Sequence, residues 1–206
     1  MIEQHPLQPF LPKQARVLML GSFPPQRKRW SMDFFYPNFQ NDMWRIFGVV
    51  FRNDRDYFVD APHRTFRLPL IVDLLQTVGV ALYDTATEVR RLQDNASDKY
   101  LEVVTPTDLD ALLLQLPACR AVVTTGQKAT ETLLAHFRAP LPQIGSYTPV
   151  RFGTRELRLY RMPSSSRAYP LSLEKKAAYY RRMFQDVLGD EEVWPGGCAC
   201  DTLDLL

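Results

Sequence analysis

Three stretches of this chain bring chemically useful residue types together at short spacing. Gly21-Ser22-Phe23-Pro24-Pro25 follows the apolar run Val17-Leu18-Met19-Leu20, Asp84 follows Val80-Ala81-Leu82-Tyr83, and Pro163-Ser164-Ser165-Ser166 follows a run ending at Met162. Each reads as a buried strand emptying into a loop, and parallel sheets bind ligands at that end of their strands. Gly21 lets backbone approach a bound group closely, while Pro24 and Pro25 fix φ and remove two donors, holding the loop in one shape. Asp84 is either an ordinary turn or cap aspartate or an acceptor for a ring N–H. The serines are either a plain loop or hydroxyl and N–H donors for phosphate oxygens. Phe34-Phe35-Tyr36-Pro37-Asn38-Phe39 puts four aromatics in six residues. Some of these rings must be core, but one or two can wall a planar ring, a contact worth roughly 1–3 kcal/mol per base in single-strand binders. Phe35 is the preferred stacker and Phe34 the next.

Other chemistries fit less well. Neither G-x-G-x-x-G nor G-x-x-x-x-G-K-[ST] occurs after the first strand, so the loop is not a dinucleotide or P-loop cradle. A serine hydrolase needs a nucleophile elbow with a histidine and a carboxylate. G-x-S-x-G is absent, and His5, His63 and His136 sit near a terminus, in a charged irregular segment and on a helix. The 3 cysteines cannot make a paired disulfide framework. Cys119 reads as core, and Cys198 and Cys200 form only a C-x-C, short of a four-ligand metal pattern. No metal and no cofactor are expected.

The elements that must position these loops alternate between strand and helix. Strands are predicted at Arg16–Leu20, Val80–Tyr83, Ala121–Thr125 and in a hairpin of Val150–Phe152 with Leu157–Met162. Helices are predicted around Asn41–Phe47 with Asn41 or Asp42 as cap, at Leu68–Val78 stopped by Gly79, at Thr107–Leu116 capped by Thr107, at Gln127–Phe137 and at Leu171–Leu188. That alternation implies a three-layer α/β/α sandwich around a mostly parallel four-stranded sheet. With 206 residues and 46% hydrophobic content the chain suits one domain, residues 1–189, followed by a C-terminal tail, 190–206. No run is long enough to span a bilayer and the N-terminus lacks signal-peptide features, so a cytoplasmic monomer without membrane contact is expected. The net charge of +2 decides nothing about nucleic acid. Its distribution says more: Arg27, Lys28 and Arg29 follow the proline loop, and Arg161 and Arg167 flank the serines, where they are either solvated surface or phosphate contacts.

Taken in order, these pieces resemble the uracil-DNA glycosylase superfamily and are most similar to its hypoxanthine-DNA glycosylase branch. The resemblance covers most of the chain. It is carried by His5-Pro6-Leu7, Leu20-Gly21-Ser22-Phe23-Pro24, Pro37 through Asn41-Asp42-Met43-Trp44, Gly79-Val80-Ala81-Leu82-Tyr83-Asp84, Thr125-Gly126-Gln127-Lys128-Ala129 and Met162-Pro163-Ser164-Ser165-Ser166. It implies an enzyme that flips a deaminated base, hypoxanthine or uracil, out of DNA and hydrolyses its N-glycosidic bond. By that resemblance Gly21, Ser22 and Phe23 contact the base and position water, Phe34 or Phe35 stacks on it, and Asp84 reads its ring N–H. Ser164, Ser165, Ser166 and Arg167 match the second family motif, which holds the DNA backbone. Arg167 and Tyr169 then form the wedge that enters the minor groove.

Two positions depart from the family pattern. Phe23 stands where many relatives place Asn or Asp to hold the attacking water, and Met162 stands where His or Asn is common. Asn41, which matches an asparagine in the extension of the first motif, is the best substitute for the water-handling group, and Asn38 is second; either can instead be a cap. Two readings compete with the glycosylase: a noncatalytic DNA- or nucleotide-binding module of the same fold, and an unrelated small-molecule hydrolase using the same loops.

Overall fold

The computed structural model describes residues 1–92 and 100–189. The expected tail with Cys198 and Cys200 lies outside the described residues. In chain order the elements are β1 (Ile2–Gln4), β2 (Val17–Gly21), α1 (Met43–Arg52), β3 (Val59–Asp60), β4 (Thr65–Phe66), α2 (Leu68–Val78), β5 (Val80–Asp84), β6 (Ala86–Arg91), β7 (Leu101–Pro106), α3 (Leu109–Leu114), β8 (Ala121–Thr125), α4 (Gln127–Phe137), β9 (Ser146–Phe152), β10 (Arg155–Met162) and α5 (Leu173–Leu188).

The three strands β2, β5 and β8 are buried along their whole length, which is why their sequences read as unbroken apolar runs rather than alternating ones. They belong to a sheet of order β5-β2-β8-β10-β9, so five strands replace the four expected. Four are mutually parallel, and β9 is an antiparallel edge because the turn at Gly153 folds it straight back along β10. From interior β2 the chain goes first to β5 on one side and then to β8 on the other, which puts a topological switch point beside β2.

A second sheet, β1-β6-β7, is antiparallel throughout and was not predicted. Its strands are mostly polar; Ala86, Val89 and Leu101 form a small cluster of their own with Phe23, so apolar periodicity could not reveal it. The charged segment 54–67 contains the two-stranded hairpin β3-β4. Thr107 is not the cap of α3: its hydroxyl donates to the carbonyl of Asp84 at 2.7 Å, and Asp108 caps instead, accepting from Ala111 N at 3.0 Å.

The helical interior rests on aromatic contacts. Phe184 of α5 meets Phe47 and Phe51 of α1 with ring centroids 5.5 and 4.9 Å apart. Cys119 is core as expected, and burial pushes its thiol up to about 11. Among the described residues no helix is long and apolar enough to cross a membrane.

Gly48 lies inside α1 where a Cβ would fall 2.3 Å from the backbone oxygen of Asp54. Alanine normally outranks glycine inside a helix by roughly 1 kcal/mol. Here the neighbour is backbone and must move, so Gly48→Ala should destabilise the protein by about 1–3 kcal/mol, as overpacking does. The midpoint of urea unfolding measures this, and an unchanged or raised midpoint contradicts it.

Candidate active site

The parallel strands end on one edge, and their final residues face each other in register: Gly21 opposite Asp84, Leu20 opposite Thr124, Met162 opposite Thr125. The loops leaving β2 and β10 therefore meet above the ends of β5 and β8. Between them lies a cavity of about 180 Å³ lined by Gly21, Ser22, Phe23, Phe35, Asn38, Asn41, Asp84, Ser164, Ser165 and Ser166, with Tyr36 and Thr125. Typical sites for drug-sized ligands run to roughly 300–1,000 Å³, so this one suits a single flat ring system.

Asp84 forms the floor. Its Oδ2 lies 2.8 Å from His5 Nε2, and the two side chains are 10% and 2% exposed. A Cβ on Gly21 would stand 2.3 Å from Asp84 Oδ1 and 3.7 Å from the Tyr36 hydroxyl, so only glycine leaves that carboxylate oxygen its place. Tyr36 reaches this point from a left-handed backbone, φ 50°, and its hydroxyl lies 3.0 Å from Thr125 Oγ1. A bulky residue held in that region marks local strain, which clusters at binding sites. The phenol of Tyr83 is raised above its ordinary value by burial first and by the Asp84 carboxylate second.

The walls come from the two aromatic-bearing loops. Phe35 is 3% exposed and Phe23 is 8% exposed, and both line the cavity. Trp30 Nε1 donates to Pro25 O at 2.7 Å, and Arg91 Nη2 donates to Pro24 O at 2.7 Å. These two bonds hold the carbonyls of the proline loop. Asn41 Oδ1 accepts from Met43 N at 2.9 Å, and Asn38 Oδ1 accepts from Gln40 N at 2.9 Å. Each asparagine thus spends its carbonyl on a local turn and has amide N–H donors to offer a ligand.

The serine loop is strapped down by a buried ion pair. Lys176, with its side chain 1% exposed, donates to Asp42 Oδ2 at 3.0 Å and to Ser166 O at 2.8 Å. The Asp42 amide donates to Ser165 O at 3.0 Å, and the fully buried Tyr180 donates to Pro163 O at 3.0 Å. Burial raises the Tyr180 phenol well above its ordinary value, so it stays a donor. Ser164 Oγ accepts from Ser166 N and Ser166 Oγ from Ala168 N, and a hydroxyl that accepts keeps its O–H to give.

Four residues singled out from the sequence do not line the cavity. Phe34 is turned away from the cavity, packing on Phe10 at 5.5 Å and Trp44 at 6.1 Å, because its neighbour Phe35 takes the inward position. Arg167 reaches Asp42 Oδ1 at 3.3 Å and lines an adjoining open groove of about 870 Å³. Tyr169 is partly buried, and its amide donates to Ser166 O, closing a turn beyond the cavity. Arg161 points to Gln127 Oε1 at 2.6 Å, away from the serines. Conversely, His5, Tyr36 and Thr125 belong to the site and were not singled out for it. His5 and Thr125 lay within the stretches that carried the family resemblance, and Tyr36 within the aromatic run.

Neither a protein-family model nor a curated protein matches the chain. Among solved structures, the solution structure of a protein from Methanosarcina acetivorans, described as a candidate uracil DNA glycosylase, superposes with a TM-score of 0.60. It is 19% identical and the match covers 91% of this chain and 99% of that one. The two chains share one fold. At this identity the likeness speaks for architecture alone.

Two substitutions probe the construction. Gly21→Ala puts its methyl against a movable side chain rather than backbone, so the protein should stay folded while Asp84 swings out of place. The expected readout is a lowered but still cooperative thermal midpoint, since a buried pair is broken, with a loss of His5–Asp84 contact in the NMR spectrum; retention of the contact contradicts it. Lys176→Met leaves Asp42 buried beside only a half-exposed arginine, and breaking such a pair costs about 3 kcal/mol. Urea unfolding should show that loss, with part of it recovered in Lys176→Met combined with Asp42→Asn.

Proposed function

We propose that this protein is a DNA glycosylase that hydrolyses the N-glycosidic bond of a deaminated base, hypoxanthine or uracil, flipped out of DNA. One observation carries the reading: loops from neighbouring strand ends enclose a ring-sized cavity with aromatic walls, a carboxylate at its floor and a serine loop at its rim. The shared fold with a candidate uracil DNA glycosylase supports it. An enzyme acting on a base must take it out of the stack and hold it by its faces and its exposed edge.

In this reading the base enters between Phe35 and Phe23 and gives its ring N–H to Asp84. Ser164, Ser165 and Ser166 hold the flanking phosphodiester through O–H and N–H donors, and Arg167 with Tyr169 supports the opened duplex from beyond the cavity. As the bond lengthens, positive charge grows on the sugar and negative charge on the departing base. The amide donors of Asn41 stabilise that negative charge or hold the attacking water by its oxygen, and Asn38 and Ser22 complete the polar wall. An amide is too weak a base to take a proton from water, so neither asparagine acts as a general base. Water therefore attacks a sugar whose bond is already largely broken: the C–N electron pair leaves with the base, water oxygen bonds the sugar carbon, and the proton that water loses passes to the departing base, giving an abasic sugar and a neutral free base. The reaction requires no cofactor.

The second reading, a module that binds DNA without cleaving it, draws on Phe23 at the usual water-holding position. Incubation with duplexes carrying uracil, hypoxanthine or only normal bases, followed by alkali, separates the two. Strand breaks at the deaminated base support the glycosylase, and retention without breaks supports the module. In the cleaving case Asn41→Ala should lower kcat by about 10²-fold or more, as loss of a donor at developing charge does. Asp84→Ala should cost about 1–3 kcal/mol in kcat/KM for the unpaired ring N–H. Full activity in both variants contradicts the assignment of roles.

A further inference from the structure

His5 comes from the second sheet, not from the loops that frame the cavity, yet it touches the floor. Its backbone amide donates to Thr87 O at 2.8 Å, and the strand before it pairs with β6. Glu3 of that strand is held by Arg91 Nε at 2.9 Å, and the same arginine grips the proline loop through Pro24 O. The imidazole is thus carried on a braced support. Rings enclose it, with Tyr83 at 4.6 Å, Phe23 at 5.3 Å and Phe35 at 6.3 Å between centroids.

The hydrogen bonding of that ring leaves little choice. Nδ1 lies 2.9 Å from Leu7 O and 3.2 Å from Leu7 N, while Nε2 lies 2.8 Å from Asp84 Oδ2. If Nδ1 accepts the Leu7 amide, Nε2 carries the ring proton and gives it to Asp84. If Nδ1 donates to the Leu7 carbonyl, a further proton must still lie between Nε2 and Oδ2, because two lone pairs cannot face each other at that distance. Either way one proton sits on the His5–Asp84 axis and Oδ2 is occupied, and Oδ1 is the oxygen that faces Gly21 and the cavity.

From this arrangement we infer that His5 is a positioning residue for Asp84 and, through it, the residue that makes the cavity select bases presenting a ring N–H. This rests on the glycosylase reading for its substrate and goes beyond it in naming the selector. Hypoxanthine at N1 and uracil at N3 carry a proton where adenine and cytosine, their undeaminated parents, carry a lone pair. A carboxylate oxygen whose partner is already hydrogen-bonded by an imidazole N–H accepts from the first pair and repels the second. Without the imidazole, Oδ2 loses its donor and the carboxylate is no longer held with Oδ1 toward the cavity, so the reading of the ring N–H is lost. His5 therefore acts on discrimination rather than on bond cleavage.

The test uses 2′-fluoro nucleotides, whose glycosidic bond resists hydrolysis, so base reading is measured apart from catalysis. Dissociation constants are compared for duplexes carrying 2′-fluoro-deoxyinosine and 2′-fluoro-deoxyadenosine, with the full chain, His5→Phe and His5→Gln. Phe keeps the packing and loses the donor; Gln keeps an N–H at the reach of Nε2. The expected result is a preference for inosine that falls about tenfold or more in His5→Phe and is largely restored in His5→Gln, on the scale of an unpaired buried polar group. Parallel cleavage of the natural-sugar duplexes separates this inference from the one beneath it. If the parent chain prefers inosine through His5 but cleaves nothing, hydrolysis is wrong and the selector stands. An unchanged preference in His5→Phe overturns the selector, even where cleavage is observed. So does the absence of any preference in the parent chain, or an equal loss in both variants.

Discussion

The pairing of Gly21 with Asp84 across two parallel strands is the constraint on which the site depends. Parallel register brings both residues to the same edge, and the missing side chain of Gly21 lets the carboxylate lean over its neighbour. Everything else at the floor is arranged around that carboxylate. His5 arrives from a different sheet, Thr107 holds the Asp84 backbone carbonyl, and Tyr36 accepts an unfavourable φ to bring its hydroxyl alongside. A buried acid is costly unless it is paired and hydrogen-bonded, and these contacts meet that requirement while leaving one oxygen toward the cavity.

A second buried charge pair does a different job. Asp42 stands at the start of α1, where its side chain would ordinarily cap the helix, but it turns instead to Lys176 and Arg167. The cap is replaced locally by Asn41, whose carbonyl takes the Met43 amide. In exchange Asp42 and Lys176 fasten the serine loop from two helices. Such pairs add little net stability compared with apolar packing, yet they specify one geometry. Here that geometry is the height of the serine loop above the ends of β8 and β10. The straps come from α1 and α5, the two helices joined by the packing of Phe47 and Phe51 on Phe184.

Much of the fold was legible in the chain. Fully buried strands announce themselves as apolar runs bounded by turn residues, so β8 is legible with both its ends and β2 and β5 to within one residue, and α2 and α4 are legible with both ends. The second sheet was not, because its strands bury only a few side chains and carry charges on both faces. Local chemistry also misled where two residues compete for one role. Thr107 and Asp108 are both good caps, and only the demand of the Asp84 carbonyl decides between them. Phe34 and Phe35 are both apolar rings, and only the direction of the loop decides which faces the cavity.

The sequence by itself determined that glycine, proline, aspartate and serine stand at the carboxyl ends of buried parallel strands, since strand periodicity and turn chemistry are properties of adjacent residues. Tertiary structure alone decided what those residues contact. His5 and Asp84 are 79 positions apart, and Asp42 and Lys176 are 134 apart. No local pattern encodes such meetings, because they follow from how the two sheets and two helices pack. That packing turns a histidine near the chain's beginning into the partner of the floor carboxylate, and an expected helix cap into the anchor of a distant loop.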